Sequence, residues 1–204
     1  MDQAVTVAPA VAQDEGAVTL LRFTVEQVGA MLDAGVFSGV NHQVELRKGL
    51  LHRTNAQAAP HLKAKTTLLL AIHEALRNIA SPLRIDAEGS VRVDEHNLPV
   101  PDLIVWDDLR TRGFVPVERV RLLVEICNTT HAGDFGTKPG LYAAGGVPEY
   151  WIVDLPGRAI HQRWAPENGG YRQARVVAFG EAVTAATLPG VVVPTAALLD
   201  IEPA

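Results

Sequence analysis

Two short apolar runs set the terms for this chain. Leu103-Ile-Val-Trp106 follows Pro101-Asp102, and after a polar gap comes Val120-Arg-Leu-Leu-Val-Glu-Ile-Cys127. Both are rich in Val, Ile and Leu, and both read as strands buried on their two faces, the kind that fills the middle of a helix-covered sheet. Each carries an acid, Asp102 at the entry of the first and Glu125 near the end of the second. A carboxylate among buried strand residues is costly unless a metal or a cation compensates it. Lys138 follows in the next segment. Two acids on neighbouring strands with a lysine nearby are the parts of a site that holds a divalent ion and cleaves phosphodiesters.

The rest of the chain reads as α/β. Thr24-x-x-Gln27 fits a capping box opening a short helix that Gly35 ends. Residues 43–53 read as a hairpin turning at Lys48-Gly49, with Val44 and Leu46 alternating against Glu45 and Arg47. From Pro60 to Ala80, Leu62, Leu69, Ile72, Leu76 and Ile79 recur at steps of three and four, which predicts the longest helix. Leu83–Ile85 and Val91–Val93 read as strands around a turn at Ala87-Glu88-Gly89, with Glu88 a surface charge. Pro139 disfavours helix before it, so the helix through Leu141 and Tyr142 is expected to begin late, with Thr137 as its N-cap. Glu149–Val153 is the next strand. Ala159–Trp164 and Tyr171–Val177 read as a hairpin around Glu167-Asn168-Gly169-Gly170, and a strand at Val191–Val193 and a helical turn at Ala196–Leu199 follow.

Three residues carry two readings each. Glu45 is either a site acid or a solvated strand carboxylate paired with Arg47 or Lys48. His61, at the start of the long helix, could reach a substrate phosphate or simply be an exposed or capping histidine, since no ligand partner stands at metal spacing from it. Cys127 stands two residues after Glu125, where a lysine would share the acid's strand face; a thiol cannot orient water as an ammonium does, so either the site is dead or the cation comes from elsewhere, with Lys138 the candidate. Asp107 and Asp108 end a strand and rank below Asp102 as ligands.

Pro101-Asp102, Glu125 and Lys138 in this order resemble the PD-(D/E)xK restriction-endonuclease-like superfamily. Val44-Glu-Leu-x-x-Gly49, His61, Leu123-Val-Glu-Ile126, Asp134 with Lys138, Leu141-Tyr-Ala143 and Gly146-Val-Pro-Glu-Tyr-Trp-Ile-Val-Asp154 resemble the Uma-type restriction-endonuclease family, over residues 20–200. The resemblance implies a restriction-endonuclease-like mixed central sheet flanked by helices, with additional antiparallel strands. It implies a metal-dependent endonuclease, most naturally on DNA, leaving a 5′-phosphate and a 3′-hydroxyl. Asp102 and Glu125 would hold Mg²⁺ or Mn²⁺, an acid at Glu45 would join them, and Lys138, moved to the following helix, would position water. The rival reading is a catalytically inactive binding or assembly module on the same fold.

Composition bounds these readings. A net charge of −5 argues against a constitutive nucleic-acid coat protein, but leaves room for a nuclease whose site acids are neutralised in use. Cys127 is the only cysteine, so no intrachain disulfide forms, which fits the cytoplasm. No apolar run reaches the length of a membrane span. Residues 1–19 read as a flexible leader, and 20–204 as a single domain. Cutting both strands of a duplex suits a homodimer.

Overall fold

The computed structural model describes residues 19–38, 44–53, 57–108, 111–128 and 132–202, and of 132–135 the backbone alone. The expected leader lies outside the described residues except for Thr19. In chain order, helix α1 (Val25–Asp33) precedes the hairpin β1 (Val44–Arg47) and β2 (Leu50–Arg53), and the long helix α2 (Ala59–Asn78) follows. Then come β3 (Arg84–Ala87), β4 (Val91–Arg92), β5 (Leu103–Trp106), β6 (Val115–Pro116) and β7 (Val120–Cys127). Helix α3 (Ala132–Ala144) leads to β8 (Glu149–Asp154), β9 (Ala159–Glu167), β10 (Gly170–Ala178), β11 (Ala182–Thr184) and β12 (Val192–Pro194).

The centre is a mixed six-stranded sheet in the order β10-β9-β8-β7-β5-β3. Its parallel pair is β7 with β8, and α3 makes the crossover such a pair requires. The two faces have separate cores. Leu103, Val105, Val124, Ile126, Trp151 and Val153 pack with Ala64, Leu68 and Ile72 of α2 and with Val183, Val193 and Leu198 of the C-terminal segment. Ile104, Leu123, Cys127, Tyr150 and Ile152 form the other core with Tyr142 of α3. β5 is buried at all four positions, as a central strand covered on both sides must be. A third, smaller cluster of Val25, Val28, Leu46 and Leu98 fastens α1 and the β1–β2 hairpin beside the sheet.

Local chemistry explains the punctuation. The Thr24–Gln27 capping box forms, with Gln27 Oε1 accepting from Thr24 N at 2.8 Å and Thr24 Oγ1 accepting from Gln27 N at 3.2 Å. Both hairpin turns have two consecutive residues of positive φ, Lys48 (50°) with Gly49 (78°) and Asn168 (51°) with Gly169 (74°), as right-twisted strands prefer. Two sequence expectations fail. β3 and β4 do not form a hairpin: β3 takes its ladder from β5, while β4 pairs in parallel with β6. Helix α3 starts at Ala132, ahead of Thr137, and carries Pro139 inside it. A proline there leaves the carbonyl four residues back without its helical donor, and packing of Tyr142 into the core outweighs that loss.

Candidate active site

β5 and β7 are antiparallel, with Leu103 opposite Val124. Continuing that register by one residue sets Asp102 opposite Glu125. The two acids are 7% and 3% exposed, and Glu45 is 1% exposed. Each is compensated by groups of the chain itself.

Asp102 lies one residue before β5, where the strand no longer uses all of its donors. Its Oδ2 accepts from the Ile126 backbone N–H at 2.8 Å and stands 3.1 Å from His61 Nε2. Lys65 Nζ is 3.9 Å from Oδ1 and also contacts the Glu88 carboxylate and the Gln57 side-chain carbonyl. Lys65 follows His61 by four residues, so both project from the same face of α2. The side chain of His61 is mostly buried, and its Nδ1 has no hydrogen-bond partner among the described residues.

Glu125 faces the other layer with Leu123 and Cys127. Lys138 Nζ sits 2.9 Å from its Oε2, and Tyr142 Oη donates to its Oε1 at 2.7 Å. Lys138 and Tyr142 are again four apart, here on α3. Glu45 accepts from Val100 N at 3.1 Å and from Arg47 Nε at 2.6 Å. Burial works to lower the Arg47 pKa, but the Glu45 carboxylate beside it, with Glu125 and Tyr142 beyond, raises it above its ordinary value. Arg47 thus stands in the common field of Glu45, Glu125 and Tyr142; Glu45 is paired with Arg47, but it is buried and not the solvated carboxylate of the second reading.

Burial pushes the Tyr142 phenol well above its usual pKa, and the Glu125 charge adds to the rise. A phenol raised by folding contributes stability that is complete below about pH 10 and lost as pH climbs past the unfolded value toward the folded one. Urea unfolding at rising pH should therefore show stability falling above about pH 10, with a shallower fall in Tyr142→Phe. An equal slope in that variant would remove Tyr142 as a source.

The structure thus places every site residue expected from sequence in one neighbourhood, around the ends of β5 and β7, but in two groups served by different helices. Lys65, Gln57 and the part-buried Glu88 were not anticipated; Glu88 pairs with a lysine and is no free surface charge. A signal for Lys65 existed, since a lysine four residues after His61 lies beside the apolar stripe of α2. Asp134 lies outside the described side chains. Among the described residues no three His, Cys, Asp or Glu side chains stand together as a ready cation cage. The oxygen donors of Asp102, Glu125 and Glu45 are nonetheless the chemistry a hard divalent ion takes, and such ions complete their shell with water and phosphate oxygens.

A family model described as "Putative restriction endonuclease" matches residues 36–199. The chain belongs to the Uma2 family. The Uma2 match spans β1 through the final helical turn and so includes all five residues singled out from sequence. A crystal structure described as "a putative nuclease belonging to DUF820", from Anabaena variabilis ATCC 29413, superimposes with a TM-score of 0.55 at 13% identity, covering 73% of this chain and 86% of that one. That likeness concerns the fold. No curated protein matches the sequence. Among the described residues of this Uma2 chain, no helix is long and apolar enough to cross a membrane.

Proposed function

We propose that this Uma2 protein is a divalent-metal-dependent endonuclease that hydrolyses phosphodiester bonds in DNA. The observation that carries the reading is the pair of buried acids at the facing ends of β5 and β7, with Lys138 2.9 Å from Glu125. Asp102 and Glu125 would hold Mg²⁺ or Mn²⁺, with Glu45 as a third acid; when bound, the ion supplies Lewis-acid polarisation and a water of lowered pKa. Lys138 is the water-orienting cation and offsets charge developing at phosphorus. Tyr142 fixes the Glu125 carboxylate by its hydrogen bond. His61 and Ile126 N–H hold Asp102 in place, and His61 is also near enough to meet a substrate phosphate. The products are a 5′-phosphate and a 3′-hydroxyl. A homodimer working in the cytoplasm, where Cys127 stays a thiol, completes the proposal; sedimentation of the protein alone tests the dimer.

The experiment is a cleavage assay on plasmid DNA with Mg²⁺ or Mn²⁺, wild type beside Asp102→Asn. Metal-dependent nicking by wild type and at least a hundredfold less by the variant, on the order of the loss of a main electrostatic group, is expected. Equal cleavage by both would assign the activity elsewhere. A folded wild type that cuts no DNA under either metal would favour the binding or assembly module.

A further inference from the structure

We infer that the cleft between the β1–β2 hairpin and the first half of α3 is a track for a nucleic-acid phosphodiester backbone, read by charge and without base contacts. This rests on the nuclease reading above and adds the place and mode of substrate binding. The cleft holds about 580 Å³ and is lined by Arg22, Arg47, Lys48 and Lys138, with His52 and Asn97. No carboxylate lines it among the described residues. That composition runs against the chain as a whole, which carries 23 acids to 18 Lys and Arg. Arg47 and Lys138 are each balanced by a buried acid behind the lining, so the local positive potential that a phosphate backbone matches comes chiefly from Arg22 and Lys48.

The cleft is layered by depth. Lys138 and Arg47 lie at its base, and each turns toward a buried acid, Glu125 and Glu45 respectively. Arg22 and Lys48 are exposed at its mouth. A backbone drawn in by the outer cations therefore passes over the groups that hold the site acids. The outer pair is preorganised. Arg22 Nη1 donates to the Lys48 carbonyl, Lys48 N donates to Asn97 Oδ1 at 2.8 Å, and Gly49 N donates to the His96 carbonyl at 2.9 Å. The left-handed turn at Lys48 is thus anchored from both sides, and its side chain projects from a fixed base. The opposite bank has Gly140 beside Gly169, where a Cβ added to Gly140 would come 3.5 Å from the Gly169 carbonyl, so backbone forms that wall and it is thin.

The lining also bounds the mode of reading. Its apolar members are Leu50 and Leu141, and among the described residues no Phe, Tyr or Trp lines it, the His52 imidazole being its one ring. Base stacking on successive rings is how sequence-tolerant single-strand binders gain much of their affinity, and this cleft offers only the His52 imidazole for it. Affinity must then come from phosphate contacts, which are steeply salt-dependent and indifferent to base identity.

The test is fluorescence anisotropy with labelled oligonucleotides of different sequence, single- and double-stranded, in EDTA so that cleavage plays no part. Arg22→Gln/Lys48→Gln should weaken binding about tenfold or more, equally across sequences, and lower the slope of log Kd against log salt by about 2, one per lost phosphate contact. Arg77→Gln, on the exposed end of α2, removes the same kind of charge elsewhere and should leave both unchanged. Melting temperatures confirm that each variant is folded, and Lys48→Gln alone, which keeps the Arg22 contact to the main chain, should give about half the slope change. If the double variant binds as wild type does, or if Arg77→Gln weakens binding as much, the track is wrong while the cleavage result with Asp102→Asn still stands. A strong preference of wild type for one sequence at equal salt would overturn reading by charge. A wild type that neither binds nor cuts any nucleic acid would overturn both.

Discussion

Lys138→Met is expected to lower DNA cleavage at least about a hundredfold while the protein stays folded. The ammonium stands 2.9 Å from Glu125 Oε2, and its stem comes from α3, across the β7 end from the α2 group that serves Asp102. Methionine keeps the buried aliphatic length and removes the charge. Glu125 keeps the Tyr142 hydroxyl, and Arg47 remains within electrostatic reach, so the stability cost should be about 1–3 kcal/mol, that of a buried acceptor losing one charged donor. Glu125→Gln/Lys138→Met separates the two effects: stability should return while cleavage does not. Lys65→Met is the essential comparison, because Lys65 is the other buried lysine near a site acid and pairs with Glu88. If Lys65→Met is inactive and Lys138→Met cleaves normally, the water-orienting role belongs to α2.

Glu149→Ala should cause the largest loss of stability of any single change considered. Glu149 is 0% exposed. Its carboxylate accepts from Trp151 Nε1, Gln162 Nε2, Ala186 N, Thr187 N and Thr187 Oγ1, at 2.6 to 3.2 Å. It thereby ties the segment between β11 and β12 to the start of β8. Leaving a buried donor dry costs about 1–3 kcal/mol, and water will reach some of these, so a total of about 3–6 kcal/mol is expected. For a chain of this size that lowers the melting temperature on the order of 10 °C. Thr187→Val removes one donor and should cost about 1 kcal/mol. A Glu149→Ala protein melting within a degree or two of wild type would mean that the carboxylate is not what holds this segment.

The local parts of the fold were legible because each rests on chemistry within a few residues. The Thr24–Gln27 box, the Lys48-Gly49 and Asn168-Gly169 turns and the apolar runs of β5 and β7 all stand where their residues demanded. The strand partners of β3 and β4 were not legible, because turn residues say that a chain reverses and not which ladder is vacant. The early start of α3 depends on Tyr142 being drawn into a core made of β5, β7 and β8, information no local rule holds against Pro139. The site follows the same division. Asp102, Glu125 and Lys138 could be picked out because acids in apolar strands demand compensation. Which cation answers which acid could not, since His61 and Asp102, or Arg47 and the field of Glu125, meet only through the fold. Glu149 read as an ordinary strand terminus, and its donors at 186 and 187 arrive from beyond three further strands.

The order in which the core closes has a consequence for how the chain is made. The apolar stripe of α2 is sealed in part by Val183, Val191, Val193, Leu198 and Ile201, which follow the whole six-stranded sheet in chain order. Until they emerge, Leu68 and Ile72 lack part of their cover even if the six-stranded sheet has already formed. A nascent chain stalled after β10 thus presents a sticky helix face to its neighbours, the circumstance in which newly made proteins aggregate or recruit chaperones. The small antiparallel β11–β12 pair acts as the clasp on synthesis: the α2 face that presents His61 and Lys65 to Asp102 is fully backed only once β12 and the helical turn after it have emerged.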